Sequence, residues 1–190
     1  MYKIAVLASG SGSNAQCLYE YFEKSQLARV ELIVTNNPNA GVIGRFQDKN
    51  TAVLVFNPST DSQETLEKLR RSVDVILLAG YMKLIPKDWT MAFTNKIVNI
   101  HPALLPKFGG KGMYGRRVHQ AVSESGDSES GITIHLVNEH YDKGAVVAQF
   151  KVKLTPGESA EEIERKVRLL EREHYAPTVA KWIKGLISLQ

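Results

Sequence analysis

The sequence predicts an α/β fold: a doubly wound, mostly parallel sheet with an antiparallel C-terminal edge, forming one Rossmann-like domain over residues 1–190. Three observations predict it. Short apolar runs alternate with helical segments, which is the pattern of strand–helix–strand units. The first runs are almost continuously apolar, as in parallel strands that are covered on both faces. The last two strand-like runs are separated only by a turn and are therefore expected to pair antiparallel.

The N-terminal part of the chain supplies five of these strands and the helices between them. The predicted strands are Tyr2–Ala8, Val30–Asn36, Ala52–Phe56, Val73–Ala79 and Lys96–Ile100, with the fourth expected at the centre of the sheet. The predicted helices are Ala15–Lys24, Gly41–Asn50, a segment capped by Asp61 that ends near Arg71, and a segment that begins near Pro86. Glu64 follows Asp61 by three residues, a spacing that predicts a capping box.

The C-terminal part adds two strands and three helices. A helix is predicted over Arg116–Glu124, and the polar run of residues 125–131 is expected to be an exposed, mobile turn. Ile132–Val137 alternates like a strand and Ala145–Leu154 follows it. Thr155-Pro156-Gly157 then opens a long helix, and a separate helix is predicted over Thr178–Leu189.

Composition narrows the class of protein. A length of 190 residues and a hydrophobic fraction of 43% suit one globular domain with a real core. The net charge of +4 is spread along the chain, so it fits a small anionic substrate and does not call for nucleic acid. The single cysteine, Cys17, excludes an internal disulfide. No run is long enough to span a membrane and the N-terminal run is too short for a signal peptide, so we expect a cytoplasmic protein.

A glycine-rich turn follows the first strand and precedes the first helix. Its sequence, Ser9-Gly10-Ser11-Gly12-Ser13-Asn14, places free backbone N–H groups at a helix start, where they can bind an anion. The turn is neither a dinucleotide fingerprint nor a P-loop, because the third glycine and the Gly-Lys-Ser/Thr ending are absent. The sequence leaves two readings open, a phosphate-binding loop or an ordinary strand-to-helix turn.

Asn99-Ile100-His101-Pro102 ends the fifth strand and combines two reactive side chains. Side chains two residues apart on a strand point the same way, so the Asn99 amide and the His101 imidazole should lie side by side. Pro102 prevents the segment from continuing as a central strand. A hydrogen-bond donor next to a proton carrier suits a reaction centre, although a polar strand end without chemistry would look the same. Ligands of such sheets bind at the carboxyl ends of the strands, where this segment, the glycine-rich turn and Gly80–Ile85 all fall.

These motifs together resemble the phosphoribosylglycinamide formyltransferases, a folate-dependent family. The resemblance rests on the glycine-rich turn, Leu78-Ala79-Gly80-Tyr81-Met82, the run from Asn99 to Pro106, and Asp142 after His135. It extends from the first strand to the last long helix. It implies a formyltransferase-like fold and transfer of the formyl group of 10-formyltetrahydrofolate to the amine of glycinamide ribonucleotide. Both are small molecules; no metal is implied, and a monomer or homodimer is expected.

The resemblance also assigns three catalytic residues. Asn99 is the donor to the developing oxyanion, and His101 is the acid that also stabilises it. Asp142 matches the family's catalytic aspartate. A carboxylate near His101 is expected to favour the imidazolium and can hold a water for proton transfer.

Binding residues are implied by the same resemblance. Gly12, Ser13 and Asn14 match the nucleotide's phosphate loop. The folate site is expected to involve Asn99 and two segments, Met82–Ile85 and Asn138–Asp142. The residues of these two segments are Met82, Lys83, Leu84, Ile85, Asn138, Glu139, His140, Tyr141 and Asp142. Much of this recognition goes through backbone groups in relatives. Lys83 replaces a frequent arginine and would lose its bidentate geometry.

Two regions depart from the family pattern. The helix run that supplies the ribose-binding glutamate contains both Glu171 and Glu173, and helical phase favours Glu171, four residues after Val167. The segment Phe108–Gly115 is longer and richer in glycine than usual, which suggests a mobile flap over the site. His119, on the following helix, is expected only to pack or cap. Glu171 and His174 have metal-ligand spacing, but one such pair does not predict a metal site.

Three alternatives remain from the sequence. Methionyl-tRNA formyltransferase and formyltetrahydrofolate deformylase share the fold and the Asn-x-His core, but each carries an additional domain that this chain is not expected to have. A non-catalytic nucleotide-binding module would keep the glycine-rich turn but would not need Asn99, His101 and Asp142 together.

Overall fold

The computed structural model describes residues 1–188, which form one α/β layer structure around a seven-stranded sheet. The strands are β1 (Tyr2–Leu7), β2 (Ala28–Thr35), β3 (Ala52–Val55), β4 (Val75–Leu78), β5 (Ile97–His101), β6 (Glu129–Leu136) and β7 (Val146–Lys153). The helices are α1 (Ser13–Glu23), α2 (Gly41–Phe46), α3 (Ser62–Ser72), α4 (Lys87–Ala92), α5 (Arg116–Ser125) and α6 (Ala160–Ile187).

The strand order places the ends of three strands beside one another. The sheet runs β3-β2-β1-β4-β5-β6-β7. The five strands from β3 to β5 pair in parallel, whereas β6 is antiparallel to both β5 and β7. The order reverses between β1 and β4, so the crevice expected for a ligand lies at the carboxyl ends of these strands.

Alternating residues of the strands pack into two separate cores. On β1, Ile4 and Val6 belong to the core that also contains side chains of α1, α5 and α6. Ala5 and Leu7 belong to the other core, which is closed by α3 and α4. Since side chains alternate between the faces of a strand, helices cover both faces of the sheet, which is why β1 and β4 read as continuous apolar runs.

The C-terminal helix differs from the prediction of two helices. α6 continues from Ala160 to Ile187 with Pro177 inside it; the remaining residue of the predicted second helix, Leu189, lies outside the described residues. Proline removes one helical hydrogen bond, but Tyr175, Ala176 and Val179 on both sides of it are buried in the same core. Tertiary packing therefore holds the helix together across the proline.

Two further predictions about local structure were wrong. Asp61 makes no side-chain cap on α3; its Oδ2 instead accepts from the N–H of Asn57 at 2.8 Å, within the preceding turn. The polar run of residues 125–131 is not all turn, because β6 begins at Glu129 and Glu129–Gly131 pair with residues 151–153 of β7. Ser130 is buried there. None of the helices within residues 1–188 is both long and apolar enough to cross a membrane.

Candidate active site

A cavity of about 270 Å³ opens at the carboxyl ends of β1, β4 and β5. Its wall contains Gly10–Asn14 of the glycine-rich turn, the segment after β4 and the end of β5. Loops that follow β5 and β6 complete it. The sheet therefore gathers the three segments that the sequence placed at strand ends into one space.

The glycine-rich turn is held rigidly against α2. Gly12 has a φ of 74°, in the left-handed region, and a Cβ at this position would meet Cγ2 of Val42 at 2.5 Å. The N–H of Val42 donates to the carbonyl of Gly10 at 3.1 Å, and Arg45 Nε donates to the carbonyl of Ser11 at 2.7 Å. Gly12 is also the N-cap residue of α1 and offers no side chain to cap the helix. The first N–H groups of α1 are thus available to an anion at the wall of the cavity.

Asn99 and His135 face each other across the β5–β6 pair. Asn99 Nδ2 lies 3.0 Å from His135 Nε2, and His135 Nδ1 lies 2.8 Å from the carbonyl oxygen of Leu136. A carbonyl only accepts, so Nδ1 carries the proton of the neutral ring and Nε2 accepts from the Asn99 amide. This contact fixes the Asn99 amide and leaves its second N–H and its carbonyl oxygen for a ligand in the cavity.

His101 lies between a backbone carbonyl and the Asp142 carboxylate. Its Nε2 is 2.8 Å from the carbonyl oxygen of Phe108, and its Nδ1 is 3.6 Å from Asp142 Oδ2. Asp142 is itself held by the N–H of Gly110 at 2.8 Å, and its Oδ1 lies 3.5 Å from His135 Nε2. His101 Nε2 thus donates to the carbonyl of Phe108 on one side of the ring, and His101 Nδ1 faces the Asp142 carboxylate on the other.

Two residues that contact His101 have unusual backbone conformations. Phe108 has a φ of 55° and Asp142 a φ of 53°, in the left-handed region that residues with side chains rarely adopt. Such conformations cost free energy and persist where the surrounding structure requires them, often at functional sites. Here they aim the Phe108 carbonyl and the Asp142 carboxylate at the same imidazole.

Burial determines the protonation of His101. Burial lowers the pKa of His101 below its ordinary value, although the nearby Asp142 carboxylate opposes the shift. Asp142 thus acts in the direction expected from the sequence, toward the imidazolium, but the effect of burial is larger. Burial also acts to raise the pKa of Asp142, but its contacts with His135, His101 and the Gly110 N–H together hold this pKa below its usual range. Asp142 is an anion at neutral pH.

The segment Met82–Ile85 lines the cavity after β4. Met82, Lys83 and Leu84 are exposed, whereas Ile85 is buried in the core beside α4. The N–H groups of Lys83 and Leu84 have no recorded protein partner within residues 1–188. Backbone groups without a partner at a cavity wall are available for hydrogen bonds to a ligand.

The loop after β6 contributes four of its five predicted residues to the cavity wall. Asn138, His140, Tyr141 and Asp142 line the cavity. Glu139 does not: its carboxylate lies 3.7 Å from Lys87 Nζ and also 3.7 Å from His140 Nε2.

The two candidate glutamates of α6 lie in different environments. Glu171 is in the cavity wall, where its Oε2 accepts from Asn14 Nδ2 at 3.0 Å, and burial raises its pKa. The side chain of Glu173 is 72% exposed and lies 3.9 Å from His174. The contact with Asn14 connects Glu171 directly to the end of the glycine-rich turn.

Comparison with known proteins identifies the family. A profile of the formyl transferase family, described as "Formyl transferase", matches residues 2–179. The chain belongs to this formyl transferase family. The fold agrees with a solved structure of glycinamide ribonucleotide transformylase 1 from Geobacillus kaustophilus, with a TM-score of 0.87 and 38% identity over 96% of this chain and 99% of that one.

Two relatives found by sequence similarity carry a more specific name. The chain is 37% identical to phosphoribosylglycinamide formyltransferase of Haemophilus influenzae, over 96% of this chain and 87% of the relative. It is 44% identical to the chloroplastic phosphoribosylglycinamide formyltransferase of Arabidopsis thaliana, over 90% of this chain. The matched part is 61% of that plant protein, so the chain spans less than two thirds of its length. The predicted family and fold are confirmed.

Several residues in the cavity wall of this formyl transferase were missed by the sequence analysis. Glu164 and Arg168 lie beside Glu171 in the wall, and an ion pair of 2.5 Å joins them. Their spacing on α6, four and then three residues, is the signal that they share a face with Glu171. His119 was expected only to pack or cap, but it also lines the cavity. It is buried, its Nδ1 has no hydrogen-bond partner within residues 1–188, and burial lowers its pKa.

The glycine-rich flap of the formyl transferase, Phe108–Gly115, is in contact with His101 and Asp142. Gly110 and Gly112 have positive φ values, as a tight loop of this kind requires. Gly110, Gly112, Met113, Tyr114 and Gly115 line the cavity. The contacts of Phe108 with His101 and of Gly110 with Asp142 anchor the beginning of the loop at the reaction centre. Within residues 1–188, no group of three or more histidine, cysteine, aspartate or glutamate side chains is arranged to hold a metal ion.

Proposed function

We propose that this protein transfers the formyl group of 10-formyltetrahydrofolate to the amine of glycinamide ribonucleotide. One observation carries the proposal: Asn99, His101 and Asp142 meet in a single cavity that is also lined by the glycine-rich turn and by Met82–Ile85. An anion site, a reactive centre and a segment with free backbone N–H groups are the three parts that such a transfer needs. The names of the relatives support the same reaction.

The reaction begins with attack of the amine nitrogen on the formyl carbon. A C–N bond forms, the carbonyl becomes an oxyanion, and the carbon is tetrahedral. Asn99 suits the stabilisation of this oxyanion because His135 fixes its amide and one N–H remains for the cavity. No covalent bond to the protein is required.

Collapse of the tetrahedral intermediate requires a proton on the departing folate nitrogen. The C–N bond to the folate breaks, this nitrogen takes a proton, and the attacking amine loses one. His101 is placed to accept the proton that the amine loses and then, as the imidazolium, to donate it to the folate nitrogen; Asp142, an anion beside it, stabilises the imidazolium during the reaction. Burial makes the imidazolium a stronger acid than it would be in water, which favours proton transfer once it is formed.

The two substrates divide the cavity between them in this proposal. The phosphate of the nucleotide lies on Gly12, Ser13 and Asn14, with Glu171 as the acceptor for its ribose hydroxyl groups. The pterin of the folate takes the backbone groups of Met82–Ile85 and the loop of Asn138–Asp142. The side chain of Glu139 points to Lys87 and His140, so the contribution of Glu139 to the folate is limited to its backbone.

A purified-protein assay tests the proposal. Tetrahydrofolate should form from 10-formyltetrahydrofolate only when glycinamide ribonucleotide is present. Formation without the nucleotide would identify a deformylase, and formation only with methionyl-tRNA would identify the transfer-RNA enzyme. No product in any of the three would leave a non-catalytic module. We place the protein in the cytoplasm, which the single cysteine suits; the relative from Arabidopsis is named chloroplastic.

A further inference from the structure

Ser9, the first residue of the glycine-rich turn, connects that turn to the segment after β4 and is not part of the cavity wall. It follows β1 directly, precedes Gly10 and is 8% exposed. Its hydroxyl donates to Asn36 Oδ1 at 2.6 Å and accepts from the N–H of Met82 at 3.0 Å. Its own N–H donates to the carbonyl of Gly80 at 3.1 Å. One buried side chain thus connects the ends of β1, β2 and β4.

The contact with Asn36 fixes the direction of the Ser9 hydroxyl. A serine hydroxyl has a single proton and otherwise rotates freely. Because that proton is given to Asn36, a lone pair of the oxygen is turned toward Met82. The hydrogen bond from Met82 is therefore oriented by a residue that lies at the end of the neighbouring strand, β2.

The contact with Met82 determines where the next residues lie. The Met82 N–H donates to Ser9, whereas the N–H groups of Lys83 and Leu84 have no partner within the described chain, and both residues line the cavity. Backbone atoms cannot move independently of their neighbours, so the position of Met82 sets the positions of these two donors. Beyond them, Ile85 is anchored in the core.

The glycine-rich turn does not depend on the Ser9 hydroxyl in the same way. It has its own anchors on α2, where Val42 binds the Gly10 carbonyl and Arg45 binds the Ser11 carbonyl. Removal of the hydroxyl should consequently affect the segment after β4 much more than the turn.

We infer that Ser9, oriented by Asn36, is a positioning residue for the formyl donor: its hydroxyl holds Met82 so that the backbone donors of Lys83 and Leu84 meet the pterin. The inference rests on the proposed function, since that function assigns Met82–Ile85 to the folate. It predicts that substitution of Ser9, which does not touch the folate, selectively lowers the affinity of the protein for the folate.

Ser9→Ala should raise the KM for 10-formyltetrahydrofolate about 3- to 10-fold, the usual effect of one hydrogen bond on affinity. The KM for the nucleotide and kcat should each stay within about twofold. Ser9→Thr keeps the hydroxyl and should restore most of the folate affinity. Hydrogen exchange at the Met82 amide should be faster in Ser9→Ala than in the wild type, because the amide has lost its acceptor.

A double-mutant cycle separates orientation from general damage. Asn36→Ala alone should raise the folate KM by less than Ser9→Ala, and the double variant should resemble Ser9→Ala, because Asn36 acts through the hydroxyl. Should Ser9→Ala fail to fold, Asn36→Ala provides the same comparison of the two KM values.

The outcomes distinguish this inference from the proposed function. An inactive wild-type protein that does not bind tetrahydrofolate would contradict both. An active wild-type protein whose Ser9→Ala variant raises both KM values equally, or neither, would overturn the role of Ser9 and leave the proposed function intact. Equal effects of Asn36→Ala and Ser9→Ala that add in the double variant would overturn the orienting role of Asn36.

Discussion

The choice between Glu171 and Glu173 offers a sharp test of the nucleotide site. Glu171 lies in the cavity wall and binds Asn14 at 3.0 Å, whereas the Glu173 side chain is 72% exposed. A hydrogen bond from a ribose hydroxyl to a carboxylate contributes about 1.5–3 kcal/mol. Glu171→Ala should therefore raise the KM for the nucleotide about 10- to 100-fold. Glu173→Ala is the matched control and should change this KM by no more than about twofold, as exposed substitutions usually do.

The Glu171→Gln variant shows whether the charge itself matters. A glutamine oxygen can still accept from Asn14, so the local contact remains while the negative charge is lost. We expect a KM between those of the wild type and Glu171→Ala, with kcat for saturated enzyme close to that of the wild type. Steady-state assays at fixed 10-formyltetrahydrofolate and varied nucleotide measure all three variants, and thermal unfolding checks that each is folded. A larger effect at Glu173 than at Glu171 would refute the reasoning.

Three further predictions concern Asn99, Asp142 and the buried histidines His101 and His119. Asn99→Ala should lower kcat about 10²- to 10³-fold, the usual loss for one oxyanion donor, and a change confined to KM would show that Asn99 only binds. Asp142→Asn should lower the pKa of His101 further, because Asp142 is the charge that opposes the effect of burial; an NMR titration of the imidazole measures it, and a raised pKa would contradict the assignment. Stability should fall as the pH drops below about 6.5, since burial lowers the pKa of both His101 and His119 in the folded state and the unfolded chain binds more protons. Protonation of Glu171, whose pKa is raised, acts in the opposite direction at lower pH. Urea unfolding between pH 7 and pH 5.5 should show the fall in the free energy of unfolding, and His119→Asn should make this fall smaller. An unchanged dependence of the free energy of unfolding on pH in His119→Asn would exclude His119 as a cause.

The apolar patterns of the sequence predict the sheet because each strand carries its own signal. β1 and β4 are buried on both faces, so their residues are apolar almost without interruption. The site followed from topology: parallel strands end at one edge, and the segments after β1, β4 and β5 therefore had to meet. Neither conclusion required knowledge of a distant contact.

The parts that the sequence did not predict depend on distant contacts. Pro177 suggested a break between two helices, but the burial of Tyr175 and Val179 in one core keeps α6 continuous. The start of α6 is fixed by a capping box between Ser159 and Glu162, which the sequence analysis did not predict. Local spacing allows these alternatives and only packing decides between them.

The reaction centre shows the same limit. That Asn99 and His101 share one face of β5 follows from strand alternation, which the sequence displays directly. The carbonyl of Phe108 at His101, and the burial that lowers the pKa of this histidine, come from a loop that folds back onto the strand. His119 enters the cavity through the packing of α5 against α6, which no short pattern encodes.

The central claim is that the formyl carbon moves from the folate to the amine of the nucleotide. Supplying 10-formyltetrahydrofolate labelled with ¹³C at the formyl carbon, together with glycinamide ribonucleotide, lets ¹³C NMR follow that carbon. The account predicts that the label appears in the formamide of the nucleotide product, in an amount equal to the tetrahydrofolate formed, and that Asn99→Ala slows its appearance. Recovery of the label as free formate, or its persistence on the folate, would contradict the account.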